Sequence, residues 1–356
     1  MKRIKVGVYA LVACVLAIVL ALPVVATAQQ PDPAKARAEG KIVSYGQPDD
    51  WANWKEIWQV FCAKYGRTHQ DTDMSSAEEI AKFKAERNNP VADATEVGMI
   101  WGPIAVREGV AAPYKGPGWE KVPAWAKDPN GHWTGMYVGV LTFTVNTQIV
   151  KNVPRSWADL LKPEYKNSVV ISDPRTSGTG VATFLSAVFA NGGNEKNLDP
   201  GFKYFAQLYK AGNMKAIGRN LANVQKGEAP ITIGYDLQAA SWRDTLKGQV
   251  PLEVVVPSEG VFLMPGAIVI NQWAPHPNLA RLFVDFILSD EGQRLFAKGY
   301  AHPIRVIAGN LTLPADLNPK PITQLGSSAK YVRDWNAASL LLRDVARRWA
   351  QEVLGQ

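Results

Sequence analysis

The sequence VLTFTV at residues 140–145 and the sequence FLMPGAIVI at residues 262–270 are apolar segments with the pattern of β-strands. They enclose residues 146–261, a block that has strand-like and helical patterns of its own. A block enclosed in this way indicates one domain inserted into another, with both strands crossing between the domains. We therefore expect two lobes with a cleft between them, joined at a hinge of two crossing strands.

Short apolar segments alternate with helical patterns along most of the chain, which predicts an α/β fold with mixed, mainly parallel sheets. At residues 53–65, for example, apolar side chains recur at helical spacing. The predicted domains are a first lobe at residues 29–142, an inserted second lobe at 143–262 and a return to the first lobe at 263–356. Chains of this size usually divide into two domains.

Two motifs predict where individual helices begin. Ser76-x-x-Glu79 matches a capping box, so a helix should start there. Pro154 and Ser156 precede a second helix, predicted at residues 157–161.

The first 28 residues match a secretory signal peptide, with a basic start, an apolar run at residues 6–25 and the small-residue sequence ATA at residues 26–28. We expect this segment to be removed and the mature chain to work in the periplasm. Two alternatives stay open. The apolar run is long enough to be retained as a membrane anchor, and the sequence LVAC ending at Cys14 resembles a lipoprotein signal.

The charge of the mature chain is mildly positive. Removing Lys2, Arg3 and Lys5 with the signal peptide lowers the Lys and Arg count from 39 to 36 against 32 Asp and Glu, so the net charge falls from +7 to +4. This excess suits an anionic ligand, whereas the absence of a long Lys/Arg run argues against nucleic acid. Cys62 would be the single remaining cysteine, so the mature chain cannot form an intrachain disulfide.

The sequence DPRTSGTG at residues 173–180 lies between a predicted strand and an apolar helix. Small residues allow a ligand to approach the backbone, and the first N–H groups of a helix favour negative charge. Ser177, Gly178 and Thr179 are therefore candidate anion-binding residues, with an ordinary flexible helix cap as the alternative. Arg175 and Arg219 are candidate clamps for phosphate or carboxylate, with a solvated surface position as the alternative.

Four segments together carry a family resemblance: PRSWADLLKPEY at residues 154–165, DPRTSGTG at 173–180, the helical stretch at 278–293 and PIR at 303–305. In order and spacing they resemble the type II periplasmic solute-binding proteins of ABC importers. The similar branch includes receptors for ferric iron, thiamine, polyamines, 2-aminoethylphosphonate and sugar phosphates. The resemblance implies a fold of two α/β lobes that close around a solute.

The same resemblance directs attention to Tyr235 and Asp236 in the second lobe. Iron-binding members of the branch use two adjacent tyrosines here, whereas this chain has one, which argues against iron. Both residues follow a predicted strand, where α/β sheets present ligand contacts. Tyr235 could instead pack between the lobes, and Asp236 could cap the next helix. If Asp236 binds ligand, it suggests an amine.

In the first lobe, Gln47, Ser76 and Trp101 are candidate ligand contacts because each lies near the end of a predicted strand or the start of a helix. A tight turn, a helix cap and a packed indole are the respective alternatives. The pair Asp49 and Asp50 is expected at the rim of the cleft, with amine binding as the alternative.

Two function classes follow from these features. A receptor would bind a small solute and pass it unchanged to a membrane permease. An exported hydrolase would need a nucleophile with a base or a metal cluster, and the four histidines match no such motif. We therefore expect a monomeric receptor without catalytic residues, cofactor or metal. A phosphorylated or phosphonate solute is the preferred ligand, followed by thiamine or its phosphates, polyamine and ferric iron.

Overall fold

The computed structural model describes residues 30–317 and 329–356, so the predicted signal peptide and Cys14 lie outside the described residues. The strands are β1 (Lys41–Tyr45), β2 (Thr68–Thr72), β3 (Ala94–Gly98), β4 (Ala111–Ala112), β5 (Thr134–Asn146), β6 (Val169–Val170), β7 (Ile231–Tyr235), β8 (Leu252–Val255), β9 (Leu263–Asn271) and β10 (His302–Pro303).

The α-helices are α1 (Pro33–Glu39), α2 (Trp54–Tyr65), α3 (Ser76–Ala85), α4 (Gly102–Arg107), α5 (Gly178–Ala190), α6 (Asp199–Lys210), α7 (Leu221–Gln225), α8 (Asp236–Thr245), α9 (Pro277–Ile287), α10 (Asp290–Lys298), α11 (Ile304–Ile307), α12 (Trp335–Leu340) and α13 (Leu342–Arg348). None of the helices formed by residues 30–317 and 329–356 has the length and hydrophobicity needed to cross a bilayer.

The strand β5 belongs to both lobes. Its first half pairs with β9 and β10 in the sheet of the first lobe, which also contains β1, β2, β3 and β4. Its second half pairs with β7 and β8 in the sheet of the second lobe, where β6 joins β7. The chain returns to the first lobe through residues 256–262, between β8 and β9.

The strands β5 and β9 are buried along their whole length. This burial explains the apolar pattern from which the sequence predicted them. The expectation of mainly parallel sheets is wrong. Among the described strands, three pairings are parallel and six are antiparallel. All six antiparallel pairings involve β5 or β9. Only β5 pairs in both sheets, so the expected hinge of two crossing strands is one crossing strand and the segment 256–262 in the part of the chain described.

Aromatic side chains fill the core of the first lobe. The predicted helix at residues 53–65 is present as α2, and its Trp58 ring stacks on Phe283 of α9 with ring centroids 3.8 Å apart. In the second lobe, Trp157 packs edge-on against Phe143 of β5 and Tyr204 of α6. Aromatic side chains therefore pack together in the interior of both lobes.

Two local predictions are wrong. The capping box is shifted by one residue, since Ser75 is the N-cap and its backbone N–H donates to Glu78 at 2.8 Å. Residues 157–161 form a 3₁₀ turn, Asp159–Leu161, instead of a longer helix. The Asp159 carboxylate accepts the backbone N–H of Ser156, and the residue before Pro163 is extended, so the helix cannot continue.

The C-terminal helices contact both lobes. The indole of Trp335 donates to the backbone oxygen of Trp125 in the first lobe at 2.7 Å. Trp349 lies in the second lobe between the rings of Phe184 and Phe205. The predicted domain boundaries stay predictions, but the C-terminal segment is shared between the lobes.

Candidate ligand-binding site

A cavity of about 340 Å³ lies between the two lobes. The first lobe contributes the ends of β1, β2 and β3 together with the start of α3. The second lobe contributes the start of α5, the start of α7 and the end of β7 with α8. The residues that line the cavity include Asp50, Asp73, Ser76, Glu79, Glu96, Ser177, Gly178, Thr179, Arg219, Tyr235 and Gln238.

The start of α5 lines this cavity, and the first N–H groups of a helix have no acceptor within the helix. Ser177 is the N-cap residue, and its hydroxyl accepts the N–H of Gly180 at 3.3 Å. Ser177, Gly178 and Thr179 all line the cavity, as the sequence predicted. A 13-residue helix presents a substantial positive end here, so this surface favours an anion.

The lobes touch each other through two glycines beside this helix. A Cβ on Gly98 of β3 would lie 3.1 Å from the Cα of Gly178, which is too close for an ordinary contact. The hydroxyl of Ser76 accepts the N–H of Gly98 at 3.2 Å and lines the same cavity. The absence of a side chain at these two positions therefore allows the lobes to approach closely here.

Arg219 is the cation of the described cavity lining. One of its terminal nitrogens donates to the side-chain oxygen of Gln238 at 2.5 Å, and its guanidinium lies 4.9 Å from the ring centre of Trp242. The Nε and Nη2 atoms are buried and have no hydrogen-bond partner among the described residues. Burial lowers the pKa of Arg219 to about 10, so it stays charged at neutral pH.

The guanidinium of Arg219 packs against Gly234, where the Cβ of any other residue would collide with it. The adjacent Tyr235 ring packs edge-on against Trp51 of the first lobe, with ring centroids 5.5 Å apart. Burial and then the charge of Glu96 raise the pKa of the Tyr235 hydroxyl, whereas the charge of Arg219 lowers it. Tyr235 is therefore near both the carboxyl group of Glu96 and the guanidinium of Arg219.

The first-lobe side of the cavity is acidic. Glu96 accepts hydrogen bonds from the indoles of Trp51 and Trp54 and from the hydroxyl of Tyr137. Burial raises the pKa of Glu96 to about 7 although these bonds lower it. Glu79 is fully buried as well, and burial raises its pKa well above the ordinary range. Burial and the neighbouring Asp50 raise the pKa of Asp73.

The sequence matches the family described as bacterial extracellular solute-binding protein over residues 101–324, which is more than half of the chain. The chain belongs to this family. A protein of Haemophilus influenzae is 32% identical over 275 residues, covering 73% of this chain and 76% of that protein.

Two further relatives of this solute-binding protein carry functional names. A Salmonella typhimurium protein, provisionally named a 2-aminoethylphosphonate-binding periplasmic protein, is 25% identical over 327 residues, 89% of this chain and 93% of that protein. The solved structure of the periplasmic binding protein AfuA from Actinobacillus pleuropneumoniae, with fructose-6-phosphate bound, has a TM-score of 0.74 at 27% identity. It covers 88% of this chain and 99% of AfuA.

These relatives confirm the predicted family, the two-lobed α/β fold and the receptor class. The solute-binding protein is the substrate-binding component of an ABC transporter, with a small solute and a membrane permease as its partners. The hydrolase hypothesis is wrong because the family consists of transport receptors.

Six of the ten predicted site residues line the described cavity together: Ser76, Ser177, Gly178, Thr179, Arg219 and Tyr235. Asp50, which was expected at the rim, also lines it. The other four, Gln47, Trp101, Arg175 and Asp236, lie outside the lining that the structure describes.

Arg175 and Asp236 lie outside the lining because nearby protein groups already bind them. The Arg175 guanidinium pairs with the carboxylate of Asp173 at 2.6 Å on the exposed surface. The carboxylate of Asp236 accepts the N–H of Val140 and that of Leu237 at 2.8 and 2.9 Å, and its second oxygen lies 2.8 Å from Nε2 of His302. Asp236 thus links α8 to the hinge strand.

Gln47 and Trp101 are buried in the first lobe. The backbone N–H of Gln47 donates to Asp71 at 3.1 Å, while its side chain is turned into the protein and is 1% exposed. Trp101 ends a 3₁₀ turn, Met99–Trp101, and its ring belongs to the hydrophobic core. The neighbours Gly46 and Gly98 line the cavity instead.

Sequence reasoning missed Glu79 and Glu96 as cavity residues. Glu79 was interpreted as part of a helix cap. The sequence did contain a signal for Glu96. It is the charged residue in the middle of a short, otherwise uncharged strand, and a charged side chain buried there needs hydrogen-bond partners.

Replacing Asp236 by alanine should destabilise this solute-binding protein by about 1–3 kcal/mol, because the buried N–H of Val140 loses its acceptor. Asp236→Asn keeps an oxygen for that N–H and should cost less. Urea unfolding of the three proteins measures both effects. Equal stability of Asp236→Ala and the parent would contradict the conclusion that Asp236 stabilises the protein by linking α8 to β5.

Proposed function

We propose that this receptor captures a small solute that carries a phosphate or phosphonate group. The observation that supports it is the guanidinium of Arg219, whose Nε and Nη2 are buried in the cleft without a partner among the described residues. Such nitrogens suit a tetrahedral anion, which can accept two parallel hydrogen bonds from one guanidinium.

The start of α5 adds to this site from the same lobe. We call Ser177, Gly178, Thr179 and Arg219 the anion pole. Its backbone N–H groups, two hydroxyls and one guanidinium match the many acceptor oxygens of a phosphate or phosphonate. Closing the cleft removes water, and a lower dielectric strengthens each of these contacts.

Two relatives also support a ligand with a phosphate or phosphonate group. One is provisionally named for binding 2-aminoethylphosphonate, and AfuA was solved with fructose-6-phosphate. A polyamine has no anionic group to accept hydrogen bonds from Arg219, which disfavours that alternative. Ferric iron is disfavoured because the second lobe offers Tyr235 without an adjacent tyrosine.

Gly178→Asp should abolish binding, because its side chain would crowd Gly98 and the Ser76 hydroxyl of the first lobe and its carboxylate would repel an anion. Ser177→Ala should weaken binding by about 1–3 kcal/mol, the value of a hydrogen bond to a charged group. Calorimetry with 2-aminoethylphosphonate, fructose-6-phosphate and inorganic phosphate measures both effects.

Arg175→Ala is the matched control, since Arg175 lies on the same loop but pairs with Asp173 outside the cavity lining described above. It should bind like the parent. Melting curves show whether each variant folds. If folded Gly178→Asp also binds like the parent, the start of α5 is only a helix cap.

Rotation of the lobes about β5 should accompany binding. Small-angle scattering should therefore give a smaller radius of gyration with saturating ligand than without it. A radius that does not change would contradict closure around the solute.

We also propose that the receptor is exported by cleavage after Ala28 and works as a monomer. Native mass spectrometry of protein purified from the periplasm should give the mass of one chain that starts near Gln29. A lipidated chain starting at Cys14, an intact N-terminus or a dimer would contradict this.

A further inference from the structure

The two lobes contribute opposite charges to the cavity. Asp50, Asp73, Glu79 and Glu96, which we call the acidic pole, all belong to the first lobe. Arg219 belongs to the second lobe and lines the same cavity. Four carboxyl groups around one end of a cleft repel one another unless a positive group joins them.

Within the acidic pole, Glu79 and Glu96 differ in their partners. Glu96 accepts hydrogen bonds from Trp51, Trp54 and Tyr137, so the protein itself satisfies it. Glu79 is 2% exposed, and its Oε2 has no hydrogen-bond partner in the described part of the chain. A buried carboxyl oxygen without a donor costs stability, and this one lines the cavity.

We infer that the solute also carries an ammonium group, which binds Glu79 and is attracted by the rest of the acidic pole. The inference rests on the proposed anion pole and narrows the solute to a small zwitterion. Its phosphate or phosphonate binds the second lobe and its amino group binds the first.

An ammonium group fits the acidic pole better than a sugar hydroxyl does. A hydroxyl can donate to Glu79, but it brings no positive charge to a part of the cavity where Asp73 and Glu96 also lie close to Glu79. An ammonium group supplies three donors and a full positive charge. Burial raises the pKa of Glu79, and an ammonium partner favours its ionised form.

An aromatic side chain from each lobe lines the cavity as well. The rings of Trp51 and Tyr235 pack edge-on with centroids 5.5 Å apart and line the cavity together with Arg219 and Glu96. A cavity of about 340 Å³ holds a small molecule rather than a peptide. A zwitterion of this size also draws the two lobes together, because each of its ends is bound by a different lobe.

Two ligand pairs that differ only in the amino group test the inference: 2-aminoethylphosphonate against ethylphosphonate, and phosphoethanolamine against ethyl phosphate. In the parent, the amino member of at least one pair should bind about 10- to 100-fold more tightly, as expected for one charge-assisted hydrogen bond. Glu79→Gln should remove most of this preference and leave the affinity for the amine-free member within about threefold.

Glu108→Gln is the control for loss of one negative charge in the first lobe, because Glu108 pairs with Lys84 on the surface. It should keep the preference. Binding of the amine-free phosphonate and a melting curve show whether Glu79→Gln is folded. The comparison of amino and amine-free ligands in the parent protein does not depend on any variant.

The outcomes separate the inference from the proposed function. Equal binding of both members of each pair, or tighter binding of fructose-6-phosphate than of either amine, overturns the ammonium subsite and leaves the anion pole standing. A preference that survives in Glu79→Gln overturns the assignment to Glu79. If neither the pairs nor fructose-6-phosphate nor inorganic phosphate binds, the proposed anion site is contradicted, and so is the ammonium subsite that depends on it.

Discussion

The ligand-binding geometry depends on one strand that is hydrogen-bonded in two sheets. The first half of β5 pairs with β9 and its second half with β7. Because the strand is continuous and buried throughout, each sheet fixes the direction of the other at their junction. The end of β3 in one lobe and the end of β7 in the other are thereby brought to the same cavity, so a rotation about β5 changes the distance between them.

This constraint explains how residues far apart in sequence form one site. The start of α5 comes from the inserted block, Ser76 from the chain before it, and their backbones meet at Gly98 and Gly178. The contact between two glycines brings the lobes close enough to exclude water, and charges separated from water interact more strongly. Opposite charge on the two lobes therefore becomes effective only when the cleft is closed around a ligand.

Patterns local in sequence predicted the lobes, the strands β5 and β9, and the cavity residues at the start of α5. They did not distinguish Ser177, which lines the cavity, from Arg175, which pairs with its neighbour Asp173. They also missed Glu79, because its burial results from packing between α3 and strands of the first lobe. The sheets were expected to be mainly parallel because strand direction depends on pairing across the hinge, which is not visible in a local pattern.

Arg305 and Arg219 show why the partners of a charged group are more informative than its burial. Arg305 is fully buried, and its guanidinium binds the backbone oxygen of Leu288, the side chain of Asn310 and the carboxylate of Asp290. That arrangement is complete without a ligand, so Arg305 stabilises the fold. Arg219 has one protein acceptor, Gln238, and its Nε and Nη2 find no acceptor within residues 30–317 and 329–356. The same contrast separates Glu96 from Glu79, and both incomplete groups face the same cavity. Buried donors and acceptors are normally satisfied because each exception costs about 1–3 kcal/mol. The proposed zwitterion would supply an acceptor to the guanidinium of Arg219 and a donor to the carboxyl of Glu79, which share one cleft.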